Sequence, residues 1–74
     1  MPTLVHFGAF KIEMYFADHN PAHVHVRGAD FAAMVRISDS AIIAGDIPSA
    51  HRKRALDWIT KNRATLKAKW QELQ

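Results

Sequence analysis

From residue 10 to residue 37 apolar and polar side chains mostly alternate with a period of two, and beyond residue 48 the period lengthens to three or four. Phe10, Ile12, Met14 and Phe16 fall on one side of residues 10–17, with Lys11, Glu13 and Tyr15 on the other. That alternation predicts a half-buried strand. Asp18-His19-Asn20-Pro21-Ala22 then reads as a turn, because Asp and Asn bond their own backbone and a proline drives the residue before it out of the helical region. Residues 23–27 alternate again, with Val24 and Val26 opposed to His23, His25 and Arg27. Gly28-Ala29-Asp30 is a hairpin connection. The returning strand, 31–37, sets Phe31, Ala33, Val35 and Ile37 against Met34 and Arg36. Ser38-Asp39-Ser40 is a second turn, and Ala41-Ile42-Ile43-Ala44 a last short strand stopped by Gly45-Asp46. Short strands joined by tight turns predict an antiparallel meander.

Pro48 marks a helix start. The apolar residues that follow, Leu56, Ile59, Leu66, Trp70 and Leu73, are spaced helically. One unbroken helix would put Arg63 in the middle of that stripe. Either the helix breaks near Asn62, which would cap a second helix, or Arg63 points inward to a carboxylate or a site. The fold class expected is α+β: residues 1–74 as a single domain, with an antiparallel sheet of three to four short strands over about 10–46. One or two C-terminal helices over about 48–73 pack on one face. The covered face would hold Phe10, Ile12, Met14, Phe16, Val24, Val26, Val35 and Ile37. The open face would show Lys11, Glu13, Tyr15, His23, His25, Arg27 and Arg36. Trp58 lies off the apolar stripe and is expected half exposed, and His6 and His51 at the surface.

A chain of 74 residues buries a modest core, so a partner or a homodimer is an expected source of added stability. It has no cysteine, hence no disulfide and no thiolate metal site. It opens Met1-Pro2-Thr3 without a basic leader or a long apolar run, which predicts no signal peptide, no membrane contact and a cytoplasmic location. The net charge of +3 is unevenly spread. Residues 1–47 carry three basic against five acidic side chains; residues 48–74 carry seven against two. A basic final third suits an acidic partner, nucleic acid first, with Arg52, Lys53 and Arg54 joined by Lys61, Lys67 and Lys69 as phosphate contacts. A solvated, solubilising helix face explains the same charge.

The chemistry concentrates at Asp18, His19, His23 and His25. His23 and His25 stand two apart on a strand and project from one face. Asp18 and His19 lie in the preceding turn, and Glu13 and Tyr15 on the neighbouring strand if the two pair. Three readings stay open. The turn and its histidines hold the hairpin. Or His19, His23, His25 and Asp18 ligate a divalent metal such as zinc. Or the cluster is a phosphate or nucleic-acid site, with Arg27 and Arg36 as anion contacts. In an enzyme, His23 and His25 would be the acid–base pair or ligands, Asp18 or Glu13 the carboxylate, and an arginine the stabiliser of developing charge. No glycine-rich phosphate loop, no nucleophile with a clear base, and no heptad run is present.

The run Met14-Tyr15-Phe16, Asp18-His19-Asn20-Pro21 and His23-Val24-His25 resembles the pattern of the domain of unknown function 4160 family, small prokaryotic proteins. Met1-Pro2-Thr3, Leu56-Asp57-Trp58-Ile59, Arg63, Leu66 and Trp70 are similar as well. Ala22 and Val24 depart from it, where a second proline and a phenylalanine are usual, and both keep the turn and strand character. The resemblance implies that the acidic-and-histidine turn is the working part and that Arg63 is inward or site-directed. It also implies kinship with two-gene operons of the toxin–antitoxin kind. The first expectation is therefore a binding and regulatory module engaging an operon-encoded protein partner or nucleic acid, with Arg27, Arg36, Arg52, Lys53, Arg54 and Arg63 as phosphate contacts. The alternatives are a metal- or histidine-dependent hydrolase such as a ribonuclease, and a purely structural interaction domain.

Overall fold

A computed structural model describes residues 3–15 and 21–73. Five strands run β1 (Thr3–His6), β2 (Phe10–Glu13), β3 (His23–Gly28), β4 (Ala32–Arg36) and β5 (Ile42–Gly45), followed by α1 (Ser49–Lys61) and α2 (Arg63–Leu73). The sheet order is β1-β2-β3-β4-β5 with every pair antiparallel, so the meander is as expected and the class is α+β. The sheet has five strands where three to four were expected. The extra one is β1, a four-residue edge strand whose ends are exposed, so its alternation is too weak to register as a pattern.

Val24 pairs with Val35 and Val26 with Ile12 and Ala33, which aligns the apolar sides of the three central strands. Ile12, Met14, Val24, Val26, Val35 and Ile37 are fully buried there, facing Ala55, Ile59, Leu66 and Trp70 of the helices. Ile47, in the sheet-to-helix connection, also enters this core. Fully burying an aliphatic side chain of this size is worth about 1.5–3 kcal/mol. Phe16, expected beside them, lies outside the described residues.

The connections are built locally. Between β3 and β4 the Gly28 N–H donates to the Phe31 carbonyl at 2.9 Å, closing a two-residue hairpin. The Phe31 ring occupies the space a Gly28 Cβ would need. Gly45 has φ +69 and sits against the Ala32 carbonyl, so glycine is required there on both counts. Both edge pairings shift register, between Thr3 and Val5 in β1 and between Met34 and Val35 where β4 meets β5. Such bulges bend an edge and discourage a further strand from adding to it.

The helical segment does break at Asn62, which has φ −108 and ψ 18. The Asn62 side-chain amide donates back to the Trp58 carbonyl at 2.8 Å, and its own carbonyl accepts the Leu66 N–H at 2.9 Å. It thus closes α1 while its backbone opens α2. Arg63 also turns inward: Nε donates to the Ile37 carbonyl at 2.7 Å and Nη2 to the Ser40 hydroxyl at 2.8 Å. Ser40 Oγ lies 2.8 Å from Thr60 Oγ1 as well. The break is as expected, and Arg63 points inward, but to a backbone carbonyl and a hydroxyl rather than to the expected carboxylate or site. His51, expected at the surface, is half-buried against Phe31, with rings 6.0 Å apart and stacked. No helix among the described residues is long and apolar enough to cross a membrane.

Candidate functional site

On the sheet face away from the helices, Lys11 of β2 and Arg27 of β3 are cross-strand partners. Like charges directly opposite each other destabilise a ladder. Glu13 relieves them. Its Oε2 is 3.3 Å from Lys11 Nζ and its Oε1 3.8 Å from an Arg27 Nη1 nitrogen. The Tyr15 hydroxyl donates to Glu13 Oε1 at 2.8 Å and accepts from Arg27 Nη1 at 3.2 Å. The Glu13 side chain is 2% exposed and that of Arg27 54%. The carboxylate is therefore the covered hub and the guanidinium the open tip. Burial by itself raises the Glu13 pKa. The Tyr15 hydrogen bond, the Lys11 hydrogen bond and charge, and the Arg27 charge outweigh it and hold the group below its ordinary value of 4.5.

Tyr15 also lies against His25, the ring centroids 4.3 Å apart and tilted by 32°. His25 is cross-strand from Glu13 on one side and Met34 on the other, and Met34 from Ala44. One row thus crosses four strands, changing from charged to small and apolar. Along it runs an open groove of about 400 Å³, with Tyr15, His25 and Arg27 on one side and Ala32, Met34, Ala44 and Gly45 on the other. The small residues Ala32, Ala44 and Gly45 of β4 and β5 leave the hollow, and Tyr15 after β2 and His25 and Arg27 of β3 wall it. The apolar half was not named from sequence. Its signal was there: Ala32, Met34 and Ala44 occupy solvent-side positions where a sheet usually carries long polar residues.

His23 is not on the open face as expected. It is buried at the end of β3, its ring 5.2 Å from that of Trp70 on α2 and 5.0 Å from that of His25. The end of α2 reaches over it. Its Nδ1 is 2.7 Å from the Pro21 carbonyl, and a carbonyl can only accept. Nδ1 therefore carries the proton in this bond, and in the neutral ring Nε2 is the acceptor. Asp18 and His19 lie outside the described residues, so of the expected metal set only His23 and His25 are placed. Among the described residues no three His, Asp or Glu side chains converge as a metal would require.

The arginines and lysines named as phosphate contacts are dispersed. Arg27 lines the groove. Arg36 forms a two-pronged ion pair with Asp39, at 2.9 and 2.7 Å, in the β4–β5 turn. Arg52 donates to Asp46 and to the Ile47 carbonyl just before α1. Arg63 is held by Ile37 and Ser40. Lys53 pairs with Asp57 at 2.9 Å along α1, and the Arg54 guanidinium lies over the Phe7 ring at 5.9 Å.

The architecture is that of a small α+β domain with one sheet face covered by helices and the other left open with a walled groove. Residues 9–71 match the family described as Domain of unknown function (DUF4160), and the chain belongs to that family. No curated protein and no solved structure matches it.

Proposed function

We propose that this chain is a binding and regulatory module whose open sheet face takes a single-stranded nucleic acid, acting with an operon-encoded partner of the toxin–antitoxin kind. The gene-pair part of the reading rests on the family resemblance. The nucleic-acid part rests on one observation: the Lys11–Glu13–Tyr15–Arg27 network stands beside a groove floored by small apolar side chains. Two cations share one carboxylate, so this patch keeps one unit of positive charge with Arg27 foremost. The groove volume of about 400 Å³ falls within the roughly 300–1,000 Å³ of ligand sites. It is open to solvent rather than enclosed, as a segment of a longer chain requires. Tyr15 and His25 supply ring surface, and base stacking on such rings is worth about 1–3 kcal/mol.

The hydrolase reading draws less from the geometry. His23 is buried against Trp70 and engaged with Pro21, a poor position for exchanging protons with a substrate. The bulges at both edges argue against a homodimer made by edge pairing.

The test is fluorescence anisotropy with short labelled single-stranded RNA and DNA, duplex controls, and a salt series. The single strands are expected to bind better than the duplex and to weaken as salt rises. Arg27→Ala is expected to lower affinity about tenfold, the loss of one charged contact, while Arg36→Ala leaves it unchanged. No binding at low ionic strength, or equal binding by Arg27→Ala, overturns the reading.

A further inference from the structure

The outward side of α1 carries a second surface, which the sheet-face reading does not use. Ala50, Arg54, Asp57, Trp58 and Lys61 line a shallow groove of about 480 Å³ together with Lys53. Trp58 is half-buried at its edge, its ring meeting that of Phe7 edge-on at 6.4 Å. Phe7 in turn carries the Arg54 guanidinium over its face. An indole, a phenyl ring and an arginine interlock here beside solvent, and Trp and Arg are the residues that most often dominate binding at protein interfaces. The charge is lopsided. Asp57 is matched by Lys53, but among the described residues neither Arg54 nor Lys61 has a carboxylate partner. The first turn of α1 has no acidic residue to complement the helix dipole. Arg52 stands at the end of that turn, taken up by Asp46 and the Ile47 carbonyl, and Lys53 and Arg54 follow it. Cations near a helix N-terminus are unfavourable, and an approaching anion relieves those that no carboxylate holds.

We infer that this face of α1 docks an acidic amphipathic segment of another protein, with an apolar side chain seated against Trp58 and carboxylates on Arg54 and Lys61. A nucleic acid fits less well. With Asp57 matched by Lys53, the groove presents two uncommitted cations beside an indole, whereas a phosphodiester chain calls for a longer run of positive charge. The surface is independent of the sheet-face groove.

The experiment uses the full chain and a fluorescein-labelled helical peptide bearing a leucine stripe flanked by glutamates. A second peptide has glutamine at every glutamate. Anisotropy reports affinity, and the amide and indole NMR resonances report the face. The acidic peptide is expected to bind, to weaken with salt, and to shift the Trp58 indole and the amides of residues 50–61. Arg54→Glu with Lys61→Glu, two exposed positions that leave the core intact, is expected to weaken it about tenfold or more. Arg27→Ala is expected to bind the peptide as the parent does, which separates this face from the sheet groove. The inference is overturned by no binding, by equal binding of the glutamine peptide or of the double variant, or by shifts confined to the sheet. A labelled oligonucleotide that displaces the peptide from α1 also overturns it, and gives the face to nucleic acid.

Discussion

Asp39 is the residue at which charge and local geometry are most tightly tied. The Arg36 guanidinium grips both of its oxygens, and the Ala41 N–H donates to one of them at 3.2 Å. Arg36 first, with the Ala41 N–H adding to it, lowers the carboxyl from an ordinary 3.8 to about 2. A lowered folded-state pKa means that the unfolded chain binds the proton more readily. The stabilisation is therefore full above 3.8 and is lost as the pH falls toward 2. Glu13 behaves with the same sign, its share lost as the pH falls below 4.5. An Asp39→Asn variant is expected to lose part of its stability at neutral pH and to show a shallower decline between pH 3.8 and 2, measured by thermal melts across pH. A decline as steep as that of the parent would show that Asp39 is not responsible. At this scale the sequence was uneven. The strand parity of His25 and Arg27 placed both on the open face. The apolar stripe singled out Arg63, but nothing in the residue order distinguished Arg27, whose tip is open, from Arg36 and Arg52, which are engaged by Asp39, Asp46 and the Ile47 carbonyl.

Arg63 sets the relation between elements. It starts α2 yet bonds Ile37, the residue just past β4, and the following turn through Ser40. Ser40 is the one non-glycine among the described residues with positive φ, at 58°. That backbone is costly for a side chain with Cβ. The Arg63 and Thr60 contacts to its hydroxyl hold it there. Arg63→Ala removes two charge-assisted hydrogen bonds and leaves the Ile37 carbonyl short of a donor, a loss of about 1–3 kcal/mol. Arg63→Lys is expected to recover little of it, since an ammonium cannot reproduce the planar fork. Urea titration of the three proteins checks this, and full recovery by lysine would refute it. The break at Asn62 was readable because an unbroken helix put a cation in the apolar stripe. The β1 strand was not, since four half-covered edge residues carry no usable period. The end of α2 lying over His23 was equally hidden, because parity assigns a side chain to a face without showing what later folds across it.

At the scale of the whole molecule, the sheet divides two environments. One face holds the core beneath α1 and α2, and the other holds the groove. The α1 surface points away from both. Ligands on the two surfaces would therefore not collide, and the chain can bridge them. Among the described residues α1 and α2 roof the apolar side of the sheet, so residues 1–47 alone are expected to be unfolded or aggregated by circular dichroism and light scattering. A monomeric, cooperatively melting fragment would contradict that.

The strand order also has a kinetic side. Every strand lies beside the strand nearest to it in the chain, so sheet assembly closes only short loops, and low contact order favours rapid folding. The slower demand comes afterwards, because the paired strands persist only once residues 49–73 roof them. During synthesis residues 1–47 emerge first, and their apolar side chains stay uncovered until the helices follow.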